Sequence, residues 1–467
     1  MAPHLALLLW LVLLLGLLWF DPAREPGVSL ALWVPTIWMF FIASRLPDQW
    51  VGGHVASGAA AFETGDSLDQ VVFLFLILLA IGILVSRGFK WTDFFARNAP
   101  LVIFISFGLL SVIWSDFPFV AFKRWFRDLG NYLMVLIVLS DPHPLEAVRT
   151  FFRRFCFLLI PLSILLIKYY PDIGVQYSAW TGGAMNVGSA TSKNGLGAIC
   201  LISGVCLLWD TATRWSNRRG RRAKTILLIN FAFLVMSVWL LHLANSATSR
   251  VCLAVGCLVI LAIQSGWGKR HVGFLKVLIP MTFCLYLMLA FGFNLNGELA
   301  SQLGRDPTLT DRTAIWKLVL SLHTNPLVGT GYESFWLGPR LESLWQSESA
   351  RGINEAHNGY LEVYLNLGTI GVFLLGLFLV TSYRNICKKL RPLSSLASLR
   401  SALWTITLFY NMTEAAFKWH PMWIAFLVGA ITVPENVEKP SSDHTYFVSS
   451  RERGVLVAAG RVQGDYI

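Results

Sequence analysis

Long apolar runs recur along the whole chain, and they constrain its fold more than any other feature of the sequence. Many of them approach the roughly 20 residues that a helix needs to cross the hydrocarbon core of a bilayer. The runs are continuous rather than alternating in polarity, and a bundle of helices satisfies their backbone groups without water. They cover residues 5–20, 28–44, 68–85, 99–114, 129–139, 155–167, 195–209, 225–243, 251–264, 272–293, 360–383, 396–410 and 422–433.

These runs predict an all-α fold class, a polytopic integral membrane helical bundle. Several runs are short enough for neighbours to merge, so we predict about 12 transmembrane helices. Composition agrees, because 55% of the 467 residues are hydrophobic and only 14% are charged, which leaves too little polar surface for a soluble protein. The first run lacks a preceding Lys or Arg and is followed by the poor cleavage site Phe20-Asp21-Pro22. We therefore predict a retained helix rather than a signal peptide.

The basic residues indicate how the bundle is oriented. Residues 214–224 contain six Lys or Arg and no acid, and residues 269–270 and 384–391 are also basic. By the positive-inside rule these segments face the cytoplasm, which places residues 294–357 on the other side of the membrane. Because the cations of the +11 chain serve as topology signals, we predict no nucleic-acid partner. The predicted organisation is N-terminal transmembrane helices (1–293), a periplasmic catalytic loop (294–357), C-terminal transmembrane helices (358–433) and a cytoplasmic polar tail (434–467).

The long polar loop contains one amphipathic helix, predicted over residues 308–323. Ile315, Leu318, Val319 and Leu322 form its apolar stripe, as expected of a helix that lies on a surface. Arg312 falls in its first turn, where unpaired N–H groups and a guanidinium together bind anions. The alternative is a surface arginine that pairs with a neighbouring aspartate.

Other polar groups are predicted on the same side of the membrane. His357, flanked by Glu355 and Glu362, suits a general base near neutral pH, although a lone histidine is often structural. The hydroxyl-rich turn that ends at Arg250 suits phosphate oxygens or sugar hydroxyls, unless Arg250 only snorkels from a helix end. Further cations are predicted on this external side, against the positive-inside rule. Either an anionic substrate or anionic lipid headgroups would offset the cost of placing them there. These cations are Lys123, Arg124, Arg127 and Lys193, and Asn194 follows the last of them.

Several common chemistries lack their motifs in this sequence. It contains no GxxxxGK[ST] nucleotide loop, no HExxH, no GxSxG elbow and no DxD-like acid pair in the predicted external loops. These absences disfavour ATP hydrolysis, zinc proteolysis and a serine hydrolase. We predict no metal and no cofactor, and a donor that arrives already activated by a phosphate leaving group.

Short blocks in a fixed order resemble the O-antigen ligase/polymerase (Wzy-like) family. They are WSDFPFVAFKRWFRD, TSKNGLGA, NSATSR, GRDPTLTDRTAIW, NPLVGTGYESFW and HNGYLEVYLNLGTIG. ALWVPTIW and YNMTEAAF make the chain most similar to exopolysaccharide polymerases of the succinoglycan type. The resemblance implies an inverting, metal-independent membrane glycosyltransferase that polymerises undecaprenyl-pyrophosphate-linked oligosaccharide repeat units. It also implies a multi-pass protein of the bacterial inner membrane with its active site on the periplasmic side.

The resemblance also implies roles for single residues. Arg250 and Arg312 match the arginines that clamp the pyrophosphate, and His357 matches the catalytic base. We predict further substrate contacts by Arg124, Lys193, Asn194, Ser249, Arg305 and Asn358. Ser192 stands where the family often has a histidine, so no role of that histidine carries over to this chain. The expected partners are the lipid-linked glycan, an acceptor glycan, membrane lipid, a chain-length regulator and export proteins.

Two alternatives remain open at this point. A ligase would use the same donor site and transfer the finished glycan to lipid A core or to a protein hydroxyl. A polysaccharide transporter or flippase is the second alternative, and it would place ionisable residues near the bilayer midplane. Most charges of this chain lie instead at the ends of the apolar runs.

Overall fold

The computed structural model describes residues 2–19, 27–52, 63, 65–177, 182–215, 220–292, 312–347, 350, 352–390 and 395–433. The predicted polar tail, the first part of the predicted external loop and Arg305 lie outside the described residues. Described residues up to Val433 belong to one compact unit.

The described elements are almost all helices. They are α1 (Pro3–Trp19), α2 (Trp33–Ala43), α3 (Pro47–Trp50), α4 (Ser67–Ser86), α5 (Trp91–Arg97), α6 (Ala99–Leu110), α7 (Pro118–Leu139), α8 (Pro144–Tyr169), α9 (Pro171–Gly174), β1 (Val175–Tyr177), β2 (Ala184–Asn186), α10 (Lys193–Arg214), α11 (Arg221–Ala244), α12 (Ala247–Gln264), α13 (Gly266–Arg270), α14 (Val272–Gly292), α15 (Arg312–Ser321), α16 (Gly338–Trp345), α17 (Gly359–Leu390), α18 (Ala397–Tyr410) and α19 (Pro421–Ala430). Single 3₁₀ turns cover Leu30–Leu32 and Ser111–Trp114.

Each predicted apolar run falls on a helix. Within the described residues, seven helices are long and apolar enough to cross a membrane, or eight if α5 and α6, bent by 96°, form one broken span. The seven are α4, α8, α10, α11, α12, α14 and α17. The all-α polytopic class is therefore confirmed. The number of about 12 crossings stays a prediction.

The helices divide into a buried centre and a periphery that exposes apolar side chains. Helix α10 packs against α8, α11 and α12, and α18 packs against α12 and α19. Peripheral α4, α11 and α14 instead expose Phe75, Leu228 and Met281, with 62%, 68% and 59% of their surface accessible. Large apolar side chains that project from long helices are stable in lipid but costly in water.

Helix α17 is broken at Gly368, where φ is 63°. Residues 326–331 fill the break and take up its backbone groups. Thr369 N–H donates to the Pro326 carbonyl oxygen (2.9 Å), and Gly331 N–H donates to that of Asn366 (2.9 Å). A Cβ at Gly368 would lie 2.2 Å from the Leu327 carbonyl carbon. The break therefore needs glycine, both for its left-handed backbone and for the close approach of the second segment.

The predicted amphipathic helix forms as α15, and its apolar stripe is packed. Ile315 and Val319 are buried in a small apolar cluster with Phe335, Trp336 and Leu344. The described part of the polar segment between α14 and α17 therefore has a small apolar core of its own. Arg312 is the first residue of the helix, and the predicted stop at Asn325-Pro326 lies four residues beyond the observed end at Ser321.

Candidate active site

The carboxylate of Glu414 is the centre of the candidate site. Glu414 lies in the loop of residues 411–420, which connects α18 to α19, and it is only 6% exposed. Its Oε1 accepts a hydrogen bond from Asn194 Nδ2 (2.8 Å) and another from Arg312 Nη2 (3.0 Å). Three distant parts of the chain, the starts of α10 and α15 and the 411–420 loop, thus meet at one buried acid.

His357 lies on the other side of the same carboxylate. Its Nδ1 is 3.0 Å from Glu355 Oε1 and 3.7 Å from Glu414 Oε2. The backbone of His357 has φ = 49°, a left-handed conformation that is unusual for a residue with a side chain. Such conformations occur often where function requires a particular side-chain direction.

The residues after His357 explain how its position is held. Asn358 Oδ1 accepts hydrogen bonds from the N–H groups of Tyr360 and Leu361 (3.0 and 3.1 Å), which caps the start of α17. Gly359 N–H donates to the Asn411 carbonyl oxygen (2.8 Å), and a Cβ at Gly359 would lie 2.0 Å from Asn411 Oδ1. The His-Asn-Gly motif therefore attaches the imidazole to the loop that carries Glu414.

Lys418 extends the site towards the interior of the bundle. Its Nζ is 3.3 Å from Glu355 Oε2 and 3.5 Å from Glu362 Oε1. Glu362 also accepts from Trp336 Nε1 (2.7 Å). We call the six titratable groups the charged cluster; they are Arg312, Glu355, His357, Glu362, Glu414 and Lys418.

The neighbours of the two histidines near this loop give them opposite protonation states. Burial alone would lower the pKa of His357, but its contacts with the Glu355 and Glu414 carboxylates raise that pKa to about 9. For Glu355, burial raises the pKa, but Lys418 and His357 bring it well below the usual range. For His420, burial lowers the pKa to about 4, although Glu355 and Glu414 act in the opposite direction. At neutral pH, His357 is therefore an imidazolium in this arrangement, whereas His420 is neutral and caps α19 through Nδ1.

Arg250 lies in the first turn of α12. Its exposed guanidinium donates to Asn245 Oδ1 (2.8 Å), the residue with which the α11–α12 turn begins. Within that turn, Thr248 Oγ1 is 2.7 Å from Thr413 Oγ1, the residue before Glu414. The turn thus contacts the 411–420 loop, and the described hydrogen bond of the Arg250 guanidinium stays within the turn itself.

The other predicted substrate residues fall at different places. Asn194 contacts Glu414, and Lys193 precedes it as the half-buried first residue of α10. Ser249 is fully buried, with its hydroxyl against Gly197 of α10. Arg124 donates to the backbone carbonyl oxygen of Glu333. Arg305 lies outside the described residues.

Ser192 caps the start of α10. Its Oγ accepts from Gly195 N–H (3.0 Å), and this bond satisfies one of the free donors at the start of α10. The short hairpin of β1 and β2 pairs Val175 with Asn186 and leads the chain back to this point. The cap therefore contributes to the position of Asn194.

The sequence interpretation missed Glu414 and Lys418. Both lie in NMTEAAFKWHP, a short polar interruption between the last two apolar runs. An acid in so apolar a region costs free energy to bury unless it has partners. The presence of Glu414 between two apolar runs could therefore have indicated a site. The partners themselves are 102 and 220 residues away in sequence, beyond the reach of any local pattern.

Three groups of the charged cluster have the spacing of metal ligands. One ligand atom each of Glu355, His357 and Glu414 lies within 4.8 Å of the others. Both carboxylates already contact a cation, Lys418 in one case and Arg312 in the other. Side-chain cations thus counter the acids that a divalent ion would otherwise neutralise.

Two comparisons with known proteins show which proteins this chain is similar to. Residues 231–376 match the family model Wzy_C, described as O-antigen ligase. The exopolysaccharide production protein ExoQ of Rhizobium meliloti (strain 1021) is 24% identical over 308 residues, which cover 63% of this chain and 67% of ExoQ. The resemblance inferred from the sequence blocks is therefore confirmed. The matched region includes Arg250, Arg312 and His357, whereas Glu414 lies beyond its C-terminal end.

These findings support a multi-pass membrane protein with a polysaccharide polymerase or ligase role. The apolar helices support the membrane class. The family model and the ExoQ match support the polymerase or ligase role.

Proposed function

Because residues 231–376 match the O-antigen ligase family model, we propose that this protein is a glycosyltransferase of the bacterial inner membrane. It polymerises oligosaccharide repeat units linked to undecaprenyl pyrophosphate, on the periplasmic side, in exopolysaccharide biosynthesis. The observation that carries the proposal is the convergence of Arg312, His357 and Asn194 on the buried Glu414 carboxylate. The transfer inverts the anomeric centre and needs no metal.

Arg312 is proposed to hold the leaving diphosphate. Its side chain is 14% exposed, and its guanidinium pairs with Glu414. This ion pair fixes the direction of the planar guanidinium. A diphosphate would take up its remaining N–H groups. Charge grows on the leaving oxygen as the glycosidic bond breaks, and a fixed guanidinium stabilises that charge most in the transition state.

Arg250 is proposed as the second arm of this clamp. Its guanidinium is exposed and bonded to a neutral amide, Asn245, which is a weaker partner than a phosphate. A donor diphosphate would replace Asn245 as the partner of this side chain. The donor would then provide the charge that keeps both arginines together.

His357 is proposed to remove the proton of the acceptor hydroxyl. The acceptor oxygen attacks the anomeric carbon, its proton passes to the imidazole, and the bond to the diphosphate breaks with its electrons on the diphosphate oxygen. Because the carboxylates raise the pKa of His357 to about 9, the reactive neutral form is scarce at pH 7 and strongly basic when present. Glu355 and Glu414 then stabilise the imidazolium that forms.

The polymerase has one close rival, a ligase with the same donor site. The matched family model is described as O-antigen ligase, and this favours the rival, whereas the printed name of ExoQ refers to exopolysaccharide production. Deletion of the gene distinguishes the two functions. A polymerase leaves single repeat units on the lipid carrier, and a ligase leaves full-length glycan there.

The decisive test uses the purified full chain and lipid-pyrophosphate oligosaccharide isolated from such a deletion strain. We expect the glycan to lengthen in the presence of a chelator, with release of undecaprenyl pyrophosphate in equal amount. Glu342→Gln on exposed α16 serves as the control variant and should behave as the parent. No lengthening by the parent, with or without divalent cations, would contradict the proposal.

A further inference from the structure

A cleft lies next to the charged cluster, between α6, α7 and the first turns of α17. It shares two residues with that cluster, Glu362 and Lys418, and its other polar lining groups include Asp128 and Glu333. Lys418 links it to His357 through Glu355, with contacts of 3.3 and 3.0 Å. The cleft is therefore connected to the imidazole through two ion-paired side chains, Lys418 and Glu355.

Aromatic rings form the walls of this cleft, and hydrogen bonds fix two of them in place. Trp125 Nε1 donates to the Ile105 carbonyl oxygen (3.0 Å), and Tyr332 Oη donates to Asp128 Oδ2 (2.9 Å). Both rings lie against Gly108, where a Cβ would meet Tyr332 at 3.0 Å and Trp125 at 3.4 Å. Rigid ring faces of this kind suit flat molecules with apolar C–H surfaces.

Glu333 provides an oxygen without a partner. Its Oε2 is 3.6 Å from Arg127 Nη2, while its buried Oε1 accepts no hydrogen bond from any residue that the structure describes. The residue also has φ = 46°. It lies two residues after the segment of residues 326–331 that fills the break in α17, and the intervening Tyr332 N–H donates to Ser111 Oγ (2.9 Å). A buried acceptor left unpaired is costly unless a ligand donates to it.

The charge of the lining decides which ligand fits. The lining contains three carboxylates, Asp128, Glu333 and Glu362, and one ammonium, Lys418. Arg127, which is outside the lining, pairs with Asp128 and Glu333, so the acids still outnumber the cations by one. A diphosphate would be repelled from such a lining, and an ammonium ligand would meet Lys418 at the end that adjoins the charged cluster. A neutral sugar satisfies both constraints, since its hydroxyls donate to carboxylates and its C–H faces pack on aromatic rings.

We propose that this cleft is the subsite for the neutral sugar of the acceptor glycan, with Trp125 and Tyr332 against the ring and Glu333 Oε1 as acceptor for a hydroxyl. The inference rests on the proposed function and adds the position of the second substrate to it. The subsite directs the attacking hydroxyl towards His357, while the donor diphosphate stays on the side of Arg312.

The test measures two ligands separately on the purified full chain in nanodiscs. The first probe is the repeat-unit oligosaccharide released by mild acid from the lipid carrier of a deletion strain, titrated by saturation-transfer NMR. The second probe is undecaprenyl pyrophosphate. We expect Trp125→Ala and Glu333→Gln to weaken oligosaccharide binding at least about tenfold. Binding of undecaprenyl pyrophosphate should change less than about twofold in both variants.

Matched controls replace the same residue types outside the cleft. Trp267→Ala and Glu342→Gln, both at exposed positions, should leave the two affinities unchanged. If Trp125→Ala does not fold, Trp125→Phe and the near-isosteric Glu333→Gln decide the matter. Parent-like oligosaccharide binding in Glu333→Gln together with either tryptophan variant would overturn the subsite.

The same measurements separate this proposal from the proposed function. A parent protein that binds oligosaccharide through the cleft but does not bind undecaprenyl pyrophosphate would contradict the function and leave the subsite intact. A parent that binds undecaprenyl pyrophosphate and lengthens glycans, but loses nothing on substitution of the cleft, would contradict the subsite alone.

Discussion

At the scale of single residues, the charged cluster shows how neighbours set the chemistry of a histidine. His357 and His420 lie close to the same loop, yet two carboxylates raise the pKa of one to about 9 while burial lowers that of the other to about 4. Only the first titrates in the alkaline range. The dependence of the rate on pH in that range therefore tests whether His357 is the base.

The first prediction concerns the pH dependence of catalysis. If neutral His357 is the base, kcat/KM rises with pH and levels off near the pKa of about 9. Glu355→Gln removes one carboxylate that raises this pKa, so the rising limb should move to lower pH. Initial rates of glycan lengthening across the pH range measure both effects.

A rate that falls between pH 7 and 9 would show that the imidazolium is the active form, and would exclude the base role. His357→Ala should reduce the rate by about 10²–10⁴-fold while the protein still inserts into membranes. Full polymer formation by that variant would exclude His357 as base by a second route.

The second prediction concerns the geometry of the clamp. Arg312→Lys keeps the charge but replaces a planar fork by a single ammonium, which cannot bind a phosphate with two parallel hydrogen bonds. We expect a loss of about 10²–10³ in kcat, measured with saturating donor. Lys317→Arg, on the same helix, is the matched control. Parent-like turnover by Arg312→Lys would rule out the two-pronged contact.

At the scale of elements, the broken helix α17 connects the fold to the site. The segment of residues 326–331 bonds to the backbone groups that the break at Gly368 leaves free. Glu362 lies before the break and Glu333 lies two residues after the inserted segment. Two of the three acids of the cleft are therefore close in sequence to the same backbone junction.

The third prediction tests that junction. Gly368→Ala places a Cβ 2.2 Å from the Leu327 carbonyl carbon at a left-handed φ of 63°. The backbone conformation alone costs roughly 1–3 kcal/mol, and the overlap adds to it. We expect a lower thermal midpoint in fluorescence-detected size exclusion and a loss of activity.

Gly376→Ala is the control for this substitution. It lies in the same helix, and a Cβ added there would meet no atom within 4 Å, so its midpoint should match the parent. Equal midpoints for both variants would show that the junction does not require glycine.

At the scale of the whole molecule, the distribution of cations predicts the orientation that the proposed function requires. The α10–α11 connection is basic, and the segment that carries α15 and α16 holds the site. The fourth prediction is that these regions face opposite sides of the membrane. Lys224→Cys, at an exposed position, should react with a membrane-impermeant maleimide only after permeabilisation.

The companion variant is Glu342→Cys on α16, which should react in intact spheroplasts. The parent chain provides the background from exposed Cys284. Labelling of both positions from the same side would contradict the orientation, and with it the periplasmic placement of the site.

Much of the fold followed from local patterns. Apolar runs near bilayer length predict helices because lipid offers the backbone no partners, and all the predicted runs coincide with helices. The amphipathic stripe of α15 was readable for the same reason, since helical periodicity places Ile315 and Val319 on one face. Exact helix ends and the number of true crossings were not readable, because both depend on how neighbouring helices pack.

By itself, the sequence determined the membrane class and the helical architecture, and it identified a polar segment, with Arg312 and His357 in it, as the candidate site. These depend on composition and on periodicity within some twenty residues, or on short blocks shared with related proteins. Only the tertiary structure decided that Glu414 is the common partner of Arg312, His357 and Asn194, that the Arg250 guanidinium bonds within its own turn, and that carboxylates hold His357 protonated. Those facts depend on contacts between segments as far as 220 residues apart, and the energy of burying a charge is decided by such contacts rather than by the residues next to it in sequence.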